Sequence, residues 1–257
     1  MAIEPGYMGL AEIAGEVLPY SSASVHVKQD INTPDLVQGS WDRILWNWNG
    51  ALVSGSISGP LTCEGGGGLW GWAFARGGVC GQTSEADVSV GYGCSSSLGF
   101  SCHAASLSIS CSAGDVAQYS VNIIGIPVNT GVSPGALSSA QLATWDVCSA
   151  TPATNDLASF EVSVENNPQP AYVVGSGSLV PDAIIDGIRT ITASMSEYGL
   201  GNTAPVVTGC SDEEIFNVTF RAGGASGGFS AVAHPAVPQG SAGLFMSSVT
   251  YTAVGDQ

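Results

Sequence analysis

Hydrophobic and polar residues alternate with a period of two in five segments of the chain. The apolar positions of these segments are Val25 and Val27; Val88 and Val90; Leu107, Ile109 and Cys111; Phe160, Val162 and Val164; and Phe216, Val218 and Phe220. Such alternation indicates a strand with one face buried and the other face in water. The chain is therefore predicted to be mostly β, with many short strands.

Signals for turns and helices are fewer. The dipeptides Asn49-Gly50 and Asp186-Gly187 are typical of tight turns between strands. Pro134 to Thr144 is the best helix candidate, and Ser211 to Glu214 comes next because serine followed by acids suits a helix start. Little helix is expected elsewhere.

The two halves of the chain carry similar segments in the same order. The segment at Val53 aligns with that at Ile191, and the pattern around Ile109 matches that around Val218. The first half is longer, and its extra residues fall in a Gly- and Trp-rich stretch at about 61–93, where a loop would tolerate insertion. We predict an internal duplication, with a first β-sandwich lobe at residues 1–150, which carries this insertion, and a second lobe at residues 151–257.

Composition favours self-assembly. Charged residues make up 10% of the 257 residues, against about 25% in a typical soluble protein. A surface of Ser, Thr, Asn and Gly has few ions to desolvate when it packs against copies of itself. A neutral extracellular protein is the alternative.

The charge is strongly one-sided, with 21 Asp and Glu against 5 Lys and Arg and a net charge of −16. This balance disfavours stable binding to nucleic acid or to anionic membranes, both of which need cations. It is compatible with DNA that passes without sticking, because an acidic channel repels phosphate.

No export signal or membrane anchor is expected. The first residues lack a basic start, and Glu4, Glu12 and Glu16 interrupt the region. No apolar run approaches the roughly 18 residues of a membrane helix. We expect synthesis in a cytoplasm, and release without the usual export route.

The seven cysteines leave at least one thiol unpaired within the chain. The densest group, at residues 94–111, matches no zinc spacing, so neither a metal nor another cofactor is expected. Cys63 and Cys80 bracket the Gly- and Trp-rich stretch and could form a disulfide in an oxidising medium. Cys111 follows the strand alternation as a small core residue.

Catalytic motifs are weak, and no enzyme is expected. Residues 66–71 match a dinucleotide loop only formally, because no strand precedes them. Residues 224–228 match a nucleophile elbow, but no helix pattern follows. His26, His103 and His234 are isolated along the chain. A triad assembled in space stays an open alternative.

Tryptophans crowd the first half, at Trp41, Trp46, Trp48, Trp70 and Trp72. Core packing and interface anchoring are favoured, and a carbohydrate platform is the alternative. Trp70 and Trp72 lie in the Gly- and Trp-rich stretch. We expect that stretch to be a loop that contacts a neighbouring subunit.

Several segments resemble the tail tube proteins of long-tailed phages, in which a strand leads to a loop and then to an Arg-Thr/Val-x-Gly/Ala-Ser strand. In the second half they are Phe160-Glu-Val-Ser-Val-Glu-Asn-Asn, Tyr172-Val-Val-Gly-Ser-Gly, Ala183-Ile-Ile-Asp-Gly-Ile-Arg-Thr-Ile-Thr-Ala-Ser-Met-Ser-Glu-Tyr198 and Gly243-Leu-Phe-Met-Ser-Ser-Val-Thr-Tyr-Thr-Ala-Val. In the first half, Asp30-Ile-Asn-Thr-Pro-Asp-Leu-Val-Gln-Gly-Ser-Trp and Val53-Ser-Gly-Ser-Ile-Ser-Gly-Pro-Leu-Thr are similar to them. The likeness covers about half the chain. The Gly- and Trp-rich stretch and the cysteines depart from it.

The resemblance implies a structural virion protein, made in the host cytoplasm and located in the phage tail. Its β-sandwich would contribute strands to an inter-subunit β-barrel around a DNA conduit for genome ejection, with rings stacked into a tube. Two-lobed chains imply a ring of three, and single-lobed chains a ring of six. The expected partners are copies of the chain, other tail proteins and, transiently, DNA.

The lumen of such a ring is expected to carry more Asp and Glu than Lys and Arg, because a cationic wall would hold DNA phosphates. Acids on long strands near tight turns are the lumen-facing candidates, namely Asp42, Asp182, Asp186 and Glu197.

Three alternatives remain open at this point. Another virion part, such as a distal tail hub or a capsid decoration protein, has a similar build. A carbohydrate-binding β-sandwich would use the tryptophans. A hydrolase would use a triad that the sequence does not reveal.

Overall fold

The fold is that of a computed structural model. It describes residues 9–32, 47–62, 66–74, 76–77, 82–92, 96–129, 134–137, 142–151, 156–174, 178–200, 213–219, 227–235, 239–241 and 244–253. Most of these residues lie in antiparallel strands, so the mostly β prediction is confirmed. Within these ranges, no helix has both the length and the apolar character needed to cross a membrane.

The first half runs from a pair of short strands to long central strands. Its strands are β1 (Gly9–Ile13), β2 (Glu16–Tyr20), β3 (Ser22–Asn32), β4 (Asn47–Pro60), β5 (Arg76–Gly77), β6 (Gln82–Thr83), β7 (Ala86–Tyr92), β8 (Ser96–Ser112) and β9 (Gln118–Asn129). Helix α1 (Gly66–Phe74) lies between β4 and β5.

The second half begins with a 3-10 turn at Trp145–Val147. Its strands are β10 (Ser149–Thr151), β11 (Asp156–Glu165), β12 (Gln169–Ala171), β13 (Ala183–Ile185), β14 (Thr190–Leu200), β15 (Glu213–Thr219), β16 (Gly227–Pro235), β17 (Gln239–Ser241) and β18 (Leu244–Ala253).

One large antiparallel sheet holds most of these strands. Its main path has the order β10-β15-β16-β18-β14-β11-β8-β7-β1-β2. Strand β9 pairs with β8 and with β4, and β4 also pairs with β3. The sheet does not close into a barrel. Two small hairpins, β5-β6 and β12-β13, lie outside it.

Strand β8 changes its partner along its length. Its first part, Ser96 to Cys102, pairs with β7, and its last part, Ser106 to Ser112, pairs with β11. Strands β7 and β11 both pair with the same edge of β8, and β9 pairs with its other edge. Strands from both sides of the predicted boundary near residue 150 therefore share one sheet.

The core follows the alternation seen in the sequence. The side chains of Val88, Val90, Leu107, Ile109, Cys111, Phe160, Val162 and Val164 are all buried, as predicted. Val27 is the exception, because 41% of it is exposed on β3. The Phe216 segment contributes backbone to β15, and its side chains lie outside the described part of the chain.

The predicted turn at Asn49-Gly50 is wrong, because both residues lie within β4. Strand β3 pairs Asp30 with Gly50 and Ile31 with Trp48, so Asn49 is the extra residue of a β-bulge. Long-range pairing with β3 has overridden the local turn preference of this dipeptide.

The helix predictions are also corrected. Residues 134–137 are irregular, and Leu142 and Thr144 form isolated bridges with Thr62 and Val116. In the second candidate, Glu213 starts strand β15, and residues 211–212 lie outside the described ranges. Leu142, Thr144 and Glu213 thus pair with distant backbone, and residues 138–141 lie outside the described ranges.

Candidate functional site

Trp70 and Trp72 lie on α1, in the segment predicted to be an exposed loop. Each is only 5% exposed and belongs to the chain's own core. The indole Nε1 of Trp72 donates to the carbonyl oxygen of Ser84 at 2.8 Å, and the Trp70 ring stacks on Phe74 with 3.8 Å between centroids. The loop prediction is therefore wrong for residues 66–74, because burial of these rings stabilises a glycine-rich helix. A contact of these residues with a neighbouring subunit stays a prediction.

A polar cluster joins β6 to the segment after β13. The backbone N–H of Thr83 donates to Asp186 Oδ2, and the Thr83 hydroxyl donates to Asp186 Oδ1 at 3.0 Å. His103 Nδ1 lies 3.4 Å from the same hydroxyl oxygen. Thr83 is only 4% exposed, so the cluster is largely shielded from water. It ties together three segments that are distant along the chain.

This cluster does not have the order of a hydrolytic triad. In a triad, the imidazole accepts the proton of the nucleophilic hydroxyl, and the carboxylate holds the other ring nitrogen. Here the Thr83 hydroxyl donates its proton to Asp186, so it can only accept from His103. The arrangement suits a structural link, and it does not activate Thr83.

The other described histidine is also in a simple polar contact. His26 Nε2 lies 3.3 Å from the hydroxyl oxygen of Ser54, its cross-strand partner on β4. The side chain of His234 lies outside the described part of the chain. Among the side chains that the structure describes, no group of three or more His, Cys, Asp and Glu could hold a metal ion.

In the described part of the chain, one hairpin carries several exposed apolar side chains. We call residues 169–174 and 178–188 the apolar arm; it contains β12 and β13, which pair antiparallel. Its exposed side chains are Tyr172 (47%), Val173 (54%), Val174 (102%), Leu179 (47%), Ile185 (46%) and Ile188 (86%). Single exposed apolar residues are ordinary, but six on one short hairpin, from Val174 near its tip to Ile188 at its base, make it a candidate interaction surface.

The arm is held against the sheet at its base and along one side. Asn167 Nδ2 donates to the carbonyl oxygen of Ile188 at 2.9 Å, and the N–H of Ala51 donates to that of Leu179 at 2.9 Å. Tyr172 lies over Gly50, where an added Cβ would come within 2.9 Å of the tyrosine hydroxyl oxygen. The apolar side chains are thus displayed on an anchored segment.

The connection from the arm to β14 needs unusual backbone. The N–H of Gly187 donates to the carbonyl oxygens of both Asn166 and Asn167, at 3.0 and 3.1 Å. A Cβ at Gly187 would lie 2.5 Å from the Asn167 oxygen, and Asn167 itself has a φ of +47°. The predicted turn at Asp186-Gly187 is therefore not a two-residue hairpin but the closing contact of a longer one.

Two of the four acidic candidates, Asp182 and Asp186, have described side chains. Asp182 is exposed on the apolar arm, whereas Asp186 is half-buried and bonded to Thr83. Both carboxylate oxygens of Asp186 accept hydrogen bonds from Thr83, and its lumen-facing role in an assembled ring stays a prediction. Glu197 contributes backbone to β14, and Asp42 lies outside the described residues.

The apolar arm was not identified as a site from the sequence. Its signal is the run Tyr172-Val173-Val174, which lacks the polar partners of a strand alternation. Such a run also fits a buried strand, and only the fold shows that it lies at the surface. No protein-family model matches the chain, and no curated protein is similar to it.

Proposed function

We propose that this chain is a structural subunit that works as a homo-oligomer, and specifically a tail tube protein of a long-tailed phage. In this proposal, subunits form rings that stack into a tube around a DNA conduit. The apolar arm is the observation that carries the proposal, and the sequence resemblance gives it its specific form.

The arm supports self-association through its apolar surface. Val174 and Ile188 are nearly fully exposed in the single chain. Burying a Val or Ile side chain contributes about 1.5–3 kcal/mol, so these two together would contribute about 3–6 kcal/mol. The chain as a whole has few charged residues to desolvate. A second copy is therefore the favoured occupant of this surface.

Strand β3 supports the same proposal through its backbone. It has 11 residues, and among the described strands it pairs only with β4. A long edge strand offers free N–H and C=O groups to another chain. Val27 and Lys28 are exposed on it, and proline is absent from its sequence. Edge pairing with neighbours would build the inter-subunit barrel of the proposal.

The order of strands supports the proposed duplication. The first half has the neighbours β3-β4-β9-β8, and the second has β11-β14-β18-β16-β15. Val53 on β4 aligns with Ile191 on β14, and these strands are second in their sets. Ile109 on β8 aligns with Val218 on β15, and these strands are last in their sets. Strand β18 is inserted in the second set and has no counterpart in the first. On this basis we propose a two-lobed subunit and a ring of three.

The conduit is proposed to be weakly acidic. Acids outnumber bases by 21 to 5 in the sequence, and a cationic wall would hold DNA through counterion release at every ring. Asp42, Asp182, Asp186 and Glu197 remain the lumen candidates, and Asp182 is exposed in the single chain. A lumen lined by Arg43, Arg189 or Arg221 without nearby carboxylates would contradict this part of the proposal.

Negative-stain electron microscopy of the purified protein, with its mass in solution, tests the proposal. We expect rings or tubes of uniform diameter with a central channel. The double variant Val174→Asp and Ile188→Asp should remain monomeric, because two charges then replace the apolar contact. The control is Leu98→Asp, which changes an apolar residue that is 40% exposed on β8 and does not belong to the arm.

The outcomes separate the parts of the proposal. Wild-type protein that stays monomeric at high concentration would overturn homo-oligomeric assembly. Closed rings that never stack would favour another virion component over a tube. Assembly that survives the arm variant would show that the arm is not the contact.

A further inference from the structure

Two cysteines that lie apart in the sequence meet at one end of the sheet. Cys111 is near the end of β8, and Cys148 follows the 3-10 turn at Trp145–Val147. Neither is in a disulfide in the structure. The Cys111 thiol donates to the carbonyl oxygen of Ser112 at 3.8 Å, and both cysteine side chains line the same pocket.

Backbone contacts hold this arrangement in place. Val116 and Thr144 form an antiparallel bridge, and the N–H of Trp145 donates to the carbonyl oxygen of Asp115 at 3.0 Å. The N–H of Cys148 then donates to the carbonyl oxygen of Trp145 at 3.3 Å. The turn between β8 and β9 is thus fixed against the segment that carries Cys148.

Both cysteines line the same pocket, which is open to the surface. Cys111 is 6% exposed and Cys148 is half-buried, and Trp145 and Phe160 form part of the same wall. The pocket gives a small molecule a path to the thiols. Trp145, which lines the same pocket, is 53% exposed.

The two environments for thiols in the described core differ sharply. The hydrogen bond from Cys148 lowers the pKa of Cys111, although burial and the carboxylate of Asp115 act in the opposite direction. Burial, reinforced by Glu85 and Asp87, raises the pKa of Cys102 to about 12. The thiolate is the reactive form of cysteine, so Cys111 is the more reactive of the two.

We propose that Cys111 and Cys148 are a site of reversible oxidation, at which a small peroxide converts the adjacent thiols into an intrachain disulfide. The Cys111 thiolate attacks one oxygen of hydrogen peroxide, the O–O bond breaks, and a sulfenic acid and water form after proton transfer. The Cys148 sulfur then attacks the Cys111 sulfur and displaces the hydroxyl group as a second water. Two thiols are oxidised, and one peroxide is reduced to two waters.

This bond would tie the β8–β9 turn to the segment that leads into β10. A crosslink between distant positions limits the unfolded chain and stabilises the folded state. The stabilisation would appear only after the protein meets an oxidant. The inference does not depend on the proposed function.

Peptide mapping of native protein treated with hydrogen peroxide tests the site. The reduced wild type is oxidised, its free thiols are alkylated, and it is digested without reductant for mass spectrometry. We expect a peptide pair linked through Cys111 and Cys148, and its loss on reduction. In the native protein, Cys111 should lose alkylatable thiol about tenfold faster than Cys102, the internal control.

The variants Cys148→Ser and Cys111→Ser complete the test. In Cys148→Ser, the Cys111 sulfenic acid should persist and react with dimedone, whereas Cys111→Ser should give neither product at this site. Absence of the linked peptide in the wild type would overturn the proposal. So would equal oxidation of Cys111 and Cys102, and this comparison needs no variant to fold.

Discussion

The side-chain amide of Asn166 donates to the carbonyl oxygen of Ala104 at 3.1 Å, at the place where β8 exchanges one partner strand for another. The same Nδ2 donates to the carbonyl oxygen of Ala73 at 3.0 Å, near the end of α1. The backbone N–H of Asn166 donates to Ala105 at 2.9 Å. One fully buried side chain thus satisfies polar groups that neither β7 nor β11 reaches.

Replacing Asn166 by alanine should destabilise the protein strongly. Two buried carbonyl groups would lose their donor, and each such loss costs about 1–3 kcal/mol. We expect the free energy of unfolding, measured by urea denaturation, to fall by at least about 2 kcal/mol. The matched control is Asn122→Ala, which removes an exposed amide bonded to Ser106 at 2.7 Å and should cost less than about 0.5 kcal/mol. Equal losses in the two variants would contradict this role.

Trp72→Ala should be among the most destabilising single changes in the first half. It removes a buried ring and leaves the carbonyl oxygen of Ser84 without this donor, so we expect a loss of about 3–5 kcal/mol. Trp145 is 53% exposed, and Trp145→Ala should cost less than about 1 kcal/mol. Thermal denaturation followed by circular dichroism compares the two. A small effect of Trp72→Ala would mean that α1 is not packed as described.

The side-chain hydrogen bond between Thr83 and Asp186 should make a measurable contribution to the free energy of unfolding. Thr83→Val keeps the shape but removes the hydroxyl, and we expect it to cost about 1–2 kcal/mol. Thr83→Ser keeps the hydroxyl and is the control, with a smaller loss. A double-mutant cycle with Asp186→Asn measures the coupling energy directly. Additive effects in that cycle would show that the two side chains do not stabilise each other.

Stability should fall at alkaline pH because of two buried groups. Burial raises the pKa of Cys102 to about 12 from 9.0, and burial, followed by the influence of Tyr20, raises the pKa of Tyr119. Both are neutral when protonated, so the unfolded chain loses these protons first as the pH rises. The contribution of these two groups to the free energy of unfolding is complete below about pH 9 and is progressively lost above it.

Urea denaturation between about pH 8 and pH 11 measures this loss. We expect Cys102→Ala and Tyr119→Phe each to have a shallower decline in unfolding free energy than the wild type. Tyr119→Phe also removes a hydrogen bond to the carbonyl oxygen of Pro19 at 3.1 Å, so the slopes are compared and not the absolute values. Tyr172→Phe, at an exposed position, is the control and should keep the wild-type slope. Parallel curves for all four proteins would contradict the assignment.

The sequence predicts the strands well where the signal is local. The alternation at Leu107 and Ile109 on β8, and at Val162 and Val164 on β11, gives both the strand and its buried face. This works because side chains of a strand point alternately to its two faces whatever the partner strand is.

The sequence fails where the deciding contact is distant. Glycines at the start of α1 argue against a helix, and only the packing of Trp70 and Trp72 against the core stabilises one there. Asn49-Gly50 favours a turn until β3 pairs beside it. Thr83 and Asp186 are 103 residues apart, so no local pattern could have joined them.

The two-partner course of β8 also sets an order of events in folding. Ser96 to Cys102 can pair with β7 as soon as both have been synthesised, but Ser106 to Ser112 must wait until Glu165 has left the ribosome. Until then, this part of β8 has an unpaired edge, and that edge can pair with the wrong strand or with another chain. A chain cut near residue 151 would keep this edge open permanently. Production of the first half alone is therefore expected to give aggregates, although nearly all of its own strands are present.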